Sequence, residues 1–196
     1  MSEAGQKAAS NSIEGKEPKT EETSIGRWLI ETALLVALAF ALAQGIKTFI
    51  IQPFMIPTGS MIPTIEIGNR VLADKMVFRF FREPQVGDIV VFDDPNGQLP
   101  QLIKRVIATE GQTVDVHDGK VWVDGKALDE PYVHGKDTER LTYPLPVTIP
   151  KGQVWLMGDN RPESGDARIF GPQPVSIVRG RAFWTYWPVK HFGKLQ

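Results

Sequence analysis

The chain has 196 residues, 42% of them hydrophobic, with 22 Lys and Arg against 23 Asp and Glu and a net charge of −1. That supports one good core, or two small ones sharing an edge, and the absence of a basic block argues against a nucleic-acid binder. With no cysteine, neither disulfides nor a thiolate metal site hold the fold, and without a His-x-x-x-His spacing or a Glu-rich loop no metal is expected.

Residues 1–26 are rich in Glu, Lys, Ser, Gly and Thr. Too little apolar surface is present to offset the entropy of ordering, which predicts a disordered tail. From Trp28 the composition changes to Ala and Leu, and nothing breaks a helix before Gly45. The uninterrupted apolar stretch from Thr32 to Ala43 is shorter than the ~20 residues a spanning helix needs. Residues 27–51 reach that length by carrying Glu31, Gln44 and Lys47 near their ends, where such side chains snorkel. A single transmembrane anchor is the expectation. A buried core helix is one alternative, and a cleaved secretory signal another, because Ala41-Leu42-Ala43 is an A-x-A site behind an apolar run. Lys16, Lys19 and Arg27 precede the segment and Lys47 follows it, which places the N-terminus in the cytoplasm and the remainder outside.

Beyond Gln52, short apolar runs alternate with turn residues, the pattern of a mainly β body over residues 52–196. Strands are predicted at Arg70 to Ala73, Asp88 to Phe92, Leu102 to Thr109, Thr113 to His117, Lys120 to Val123, Val154 to Met157 and Arg181 to Tyr186. Asp118-Gly119 predicts a tight hairpin turn and Asp124-Gly125 another. The continuous run Ile89-Val90-Val91-Phe92 predicts burial on both faces. Residues 126–150, with four prolines, read as a loop-rich excursion off the sheet.

Within this body the stretch Pro57-Thr58-Gly59-Ser60-Met61-Ile62-Pro63-Thr64 holds a serine between two prolines, beside a glycine that permits close approach. A stiff loop of this kind suits a nucleophile, and a nucleophilic serine needs a base. His117, His134 and His191 lie in charged or terminal surroundings, whereas Lys104 sits in the apolar run Leu102-Ile103-Lys104-Arg105-Val106-Ile107, where alternation points it inward. Burial there lowers a lysine pKa toward about 8, which costs roughly 3 kcal/mol and yields a usable base.

At Gly59-Ser60-Met61, Lys104-Arg105 and Gly158-Asp159-Asn160-Arg161 the chain resembles the bacterial type I signal peptidases (leader peptidases). These are membrane-anchored serine proteases that remove signal peptides from exported proteins. The resemblance covers the anchor and nearly everything after it. It implies an antiparallel β catalytic body, shared with the self-cleaving repressors, and a Ser-Lys dyad of Ser60 as nucleophile and Lys104 as general base. It further implies an oxyanion hole from the Ser60 N–H and the Thr58 hydroxyl, Ser164 orienting Lys104, and Asp166, Arg168 and Arg105 in support. Phe54, Ile56, Pro57, Met61, Ile65, Val71 and Ile103 would line pockets for small side chains, with the substrate extended beside Phe54 and residues 101–103. Ala167 departs from the serine that many members carry there, and the Pro162-Glu163 stretch also differs from common members. The implied partners are signal peptides and the bilayer, with residues 76–81 and 183–187 as candidate membrane contacts. No cofactor, metal or nucleic acid is implied. A self-cleaving repressor or a non-catalytic membrane-bound binding module are the alternatives, and neither accounts for the anchor and the three blocks together.

Overall fold

The computed structural model describes residues 25–133 and 137–195. Most of the tail at 1–26, and His134, therefore lie outside the described residues. The chain divides into a first unit, residues 1–41, and a second, residues 42–196.

Helix α1, Ile25–Phe49, begins in the first unit and ends in the second. Over Ile25–Lys47 it is long and apolar enough to cross a membrane, and none of that span is buried. The charge that weakened the span in the sequence is answered locally, since Arg27 Nε donates to Glu31 one turn on at 2.9 Å. The helix stops at Phe49, and Ile51, assigned from the sequence to the anchor, instead opens the first strand.

The second unit carries twelve strands among the described residues. They are β1 Ile51–Met55, β2 Arg70–Asp74, β3 Ile89–Asp93, β4 Gln101–Thr109, β5 Thr113–His117 and β6 Lys120–Val123, then β7 Lys126–Ala127, β8 Val147–Thr148, β9 Gln153–Met157, β10 Gln173–Pro174, β11 Val178–Trp187 and β12 Gly193–Lys194. All pair antiparallel. One sheet runs β1-β2-β11-β3-β4-β9-β10 with β12 on β11, and the other runs β7-β6-β5-β8.

Both predicted hairpin turns form. Asp118 and Gly119 have φ of 51° and 73°, and Asp124 and Gly125 have 53° and 74°, the left-handed pairs that match strand twist in a two-residue turn. The excursion at 126–150 is more ordered than a loop, because β7 and β8 add an edge to either side of the β5–β6 hairpin. Ile89 to Phe92 are buried, as their unbroken apolarity requires.

Three apolar clusters fill the body. The one beneath the Ser60 loop gathers Ile56, Met61, Ile65, Val71, Val91 and Ile103. The turn at Val77–Phe81 is built by Asp74, whose carboxylate accepts from the Met76 and Val77 N–H groups. It buries Phe78 partly against a cluster around Phe92 while Phe80 and Phe81 stay exposed.

Candidate active site

Ser60 and Lys104 are 44 residues apart in sequence and meet in the interior. Lys104 lies in β4 opposite Val90 of β3, and its amine donates to Ser60 Oγ at 2.7 Å with both side chains buried. Burial is the chief cause that brings the Lys104 pKa from 10.5 down to about 8, against a smaller upward pull from Asp166 and Asp159. A substantial fraction of the amine is thus neutral near pH 8, and a neutral amine at hydrogen-bond distance can take a hydroxyl proton. The two described histidines are occupied elsewhere: His117 stacks on Trp122, and His191 contacts Asn69 and Glu66.

The Ser60 loop is held mainly by the third sequence block. The Asn160 N–H donates to the Ser60 carbonyl at 3.0 Å, and Asn160 Nδ2 donates to the Gly59 carbonyl at 3.0 Å. Thr64 Oγ1 donates to Asp159 at 2.5 Å. The close approach expected at Gly59 occurs instead at Gly158, where a Cβ would lie 2.4 Å from the Ser60 carbonyl oxygen and 2.2 Å from Ser164 Oγ. Gly59 faces the flexible end of the Ile62 side chain.

Behind the dyad lie two buried ion pairs. Arg105 grips Asp159 through Nε at 2.9 Å and Nη2 at 2.7 Å. Arg168 grips Asp166 likewise, and that carboxylate also accepts the Gly158 N–H. Arg105, implied as a supporting residue, braces Asp159. It also donates to the Gly87 carbonyl and stacks on Tyr132 with 4.0 Å to the ring centre. Arg161 ties the block to the excursion through Glu130 and Thr138. Asp159, Asn160 and Arg161 were visible in the sequence only as letters of a motif, whereas Tyr132 and Glu130, in an excursion read as loop, gave no signal.

Ser164 is buried near the dyad, but its hydroxyl has no hydrogen-bond partner. The expected bond to Lys104 is therefore absent, the amine being directed at Ser60.

The cleft beside the dyad encloses about 50 Å³ and is lined by Phe54, Ile56, Pro57, Thr58, Ser60, Val91, Leu99, Leu102, Ile103 and Lys104, among others. Of the expected wall residues, Met61, Ile65 and Val71 are fully buried in the cluster beneath it. Gln101 and Leu102, expected beside the extended substrate, line it too, and Met55, Val91 and Leu99 do so without having been anticipated. Two strand edges border the cleft. Among the described residues β1 pairs only with β2, and β9 pairs with β4 from Arg105 onward, so residues 101–104 keep one edge outside that ladder. An extended chain can add to such edges through main-chain hydrogen bonds.

The family described as signal peptidase, peptidase S26, matches residues 29–187. A probable signal peptidase I-1 from Synechocystis is 39% identical over 179 residues, covering 86% of this chain and 88% of its own. Thylakoidal processing peptidase 1 of Arabidopsis thaliana is 38% identical over 80% of this chain, which spans 46% of that longer relative. A solved signal peptidase I from Enterococcus faecalis aligns with 51% of this chain and 97% of its own, at 29% identity and a TM-score of 0.43. With a family match running from the helix to the last long strand, and a relative covered nearly end to end, the chain belongs to the S26 signal peptidase family.

Proposed function

We propose that this protein is a membrane-anchored serine endopeptidase that removes N-terminal signal peptides from exported proteins, cutting after small residues of the A-x-A type. The observation that carries the reading is the buried 2.7 Å contact between Lys104 Nζ and Ser60 Oγ, with the amine's pKa brought to about 8. Neutral Lys104 takes the Ser60 proton as Oγ attacks the scissile carbonyl. The resulting oxyanion is met by the Ser60 N–H and the Thr58 hydroxyl. Lys104 returns the proton to the leaving amine, which departs with the mature protein, and then activates a water that frees the acyl chain from Ser60. Ser164 orients Lys104 once acylation has removed its Ser60 partner. A buried hydroxyl without a partner costs about 1–3 kcal/mol, and a role in that second state explains its retention.

Substrate selection follows from size. Shallow apolar walls such as Phe54, Ile56 and Ile103 favour small side chains before the cut. The substrate lies extended between β1 and residues 101–103 of β4. Residues 27–49 anchor the enzyme in the cytoplasmic membrane with the N-terminus inside and the catalytic body outside, and Phe80, Phe81 and Trp187, all more than half exposed, rest on the bilayer.

The test is cleavage of an Ala-x-Ala peptide by the purified full chain. Ser60→Ala and Lys104→Ala abolish turnover, while Thr58→Val and Ser164→Ala lower kcat by about 10²-fold or more. Equal cleavage by wild type, Ser60→Ala and Lys104→Ala would remove the dyad, and no cleavage by any would favour a binding module.

A further inference from the structure

The excursion at 126–150 reaches each of the buried arginines that brace the catalytic block, Arg105, Arg161 and Arg168. Arg161 Nη2 and Nη1 donate to the two carboxylate oxygens of Glu130 at 2.6 and 3.0 Å, and Nη1 also donates to Thr138 Oγ1 at 3.0 Å. The Arg105 guanidinium stacks on Tyr132, whose hydroxyl donates to Glu130 at 3.0 Å. Arg168 donates to the Glu139 carbonyl at 3.2 Å, and its own carbonyl accepts the Tyr143 N–H at 2.8 Å.

The same arginines turn their other contacts toward the Ser60 stretch. Arg161 Nε donates to the carbonyl of Gly158 at 2.9 Å, the residue on which the Ser60 carbonyl packs too closely to admit a Cβ. Arg105 clasps Asp159, which accepts Thr64 Oγ1 at the far end of that stretch. Two paths therefore leave the Glu130 carboxylate, one through Arg161 to Gly158 and Ser60, the other through Tyr132 and Arg105 to Thr64. Stability alone is a poor reason for this arrangement. The Glu130 and Arg161 side chains are 9% and 0% exposed, and the desolvation of such a pair offsets much of its attraction. What a satisfied buried network supplies is a fixed geometry. Lys104 can take the Ser60 proton only while Oγ keeps its place 2.7 Å away. We propose that Glu130 and Tyr132 are positioning residues for the reaction, holding through Arg161 and Arg105 the loop that aims Ser60 at Lys104. The inference rests on Ser60 and Lys104 being the reacting pair.

The test is single-turnover cleavage of an Ala-x-Ala peptide by excess full-length chain, read as the plateau rate at saturating enzyme, with hydrogen exchange of residues 59–65 measured alongside. Glu130→Gln also costs stability, but molecules lost to unfolding shift the half-saturation point and leave the plateau alone. A misplaced Ser60 lowers the plateau itself, here by about tenfold, a part of the ~10²-fold that 1 Å costs. The amides of residues 59–65 then exchange about tenfold faster. Tyr132→Leu, which takes the ring from Arg105, lowers the plateau by about tenfold, whereas Tyr132→Phe keeps the ring and stays within about twofold. This pair keeps the test intact should Glu130→Gln misfold. Leu128→Ala, in the same excursion but packed on the cluster under the β5–β6 hairpin, loses stability and leaves the plateau and the loop exchange unchanged. A wild-type plateau in Glu130→Gln and Tyr132→Leu, unchanged loop exchange in both, or equal losses in Leu128→Ala would each overturn the proposal. A wild type that cleaves nothing, with the exchange pattern as expected, would sink the peptidase reading and uphold the positioning of the loop.

Discussion

Gly158→Ala isolates the packing that aims Ser60. A Cβ at residue 158 would fall 2.2 Å from Ser164 Oγ and 2.4 Å from the Ser60 carbonyl oxygen, where real Cβ contacts essentially never come below 3.0 Å. Ser164 can relieve its share by rotating about χ1. Ser60 cannot, because its carbonyl is main chain held by the Asn160 N–H at 3.0 Å, and the preceding carbonyl of Gly59 is held by Asn160 Nδ2. The loop must retreat, and Oγ leaves its 2.7 Å contact with Lys104. A misplacement near 1 Å costs about 10²-fold in rate. Steady-state cleavage of an Ala-x-Ala peptide should show kcat down by roughly that factor with KM within about twofold, since the edges at β1 and β4 proposed to hold the substrate are untouched. Gly165→Ala is the control, because its added methyl meets only Ile169 Cδ1 at 4.0 Å, and it should leave kcat unchanged. Near-normal turnover by Gly158→Ala, or equal damage from Gly165→Ala, would refute the reasoning.

Three further outcomes are expected. Asp159→Asn leaves buried Arg105 without its carboxylate and should lower unfolding stability in urea by about 3–5 kcal/mol. Lys104 is held below the usual lysine pKa, so the unfolded chain binds more protons than the native one between about pH 8 and 10.4. Wild-type stability relative to Lys104→Met should therefore rise across that window by about 3 kcal/mol and stay flat below it, as read by denaturant midpoints at each pH. Replacing the alanine before the cut by leucine should reduce kcat/KM by more than about 10²-fold, because several methylenes exceed the small cleft, each worth roughly tenfold or more.

Much of this was legible because it is local. Lys104 sits in the apolar run of β4, and its burial follows from that run rather than from alternation, since the strand is buried on both faces from Ile103 to Ala108. Asp118-Gly119 and Asp124-Gly125 announce their hairpins by the conformations that only a few residue types adopt readily. What stayed hidden depends on partners far along the chain. β1 contains Pro53 and does not read as a strand, yet an edge strand tolerates proline because one side of its ladder is unused. The two-residue strands β7 and β8 exist only because the β5–β6 hairpin offers them edges. Likewise, the pairing of Arg105 with Asp159, 54 residues away, is decided by where β4 and β9 come into register, which no local pattern encodes. Met61, Ile65 and Val71 carried the right hydrophobicity for a pocket wall, but hydrophobicity does not distinguish a wall from the layer beneath it.

The most direct check on the central claim is the pH dependence of Ser60 acylation in single-turnover experiments with an Ala-x-Ala substrate. If neutral Lys104 is the base, the rate should climb tenfold per pH unit on the acid side and level off with an apparent pKa of about 8. A rate that is flat from about pH 6 to 9, or that breaks near the ordinary histidine value of about 6.5, would show that some other group takes the serine proton.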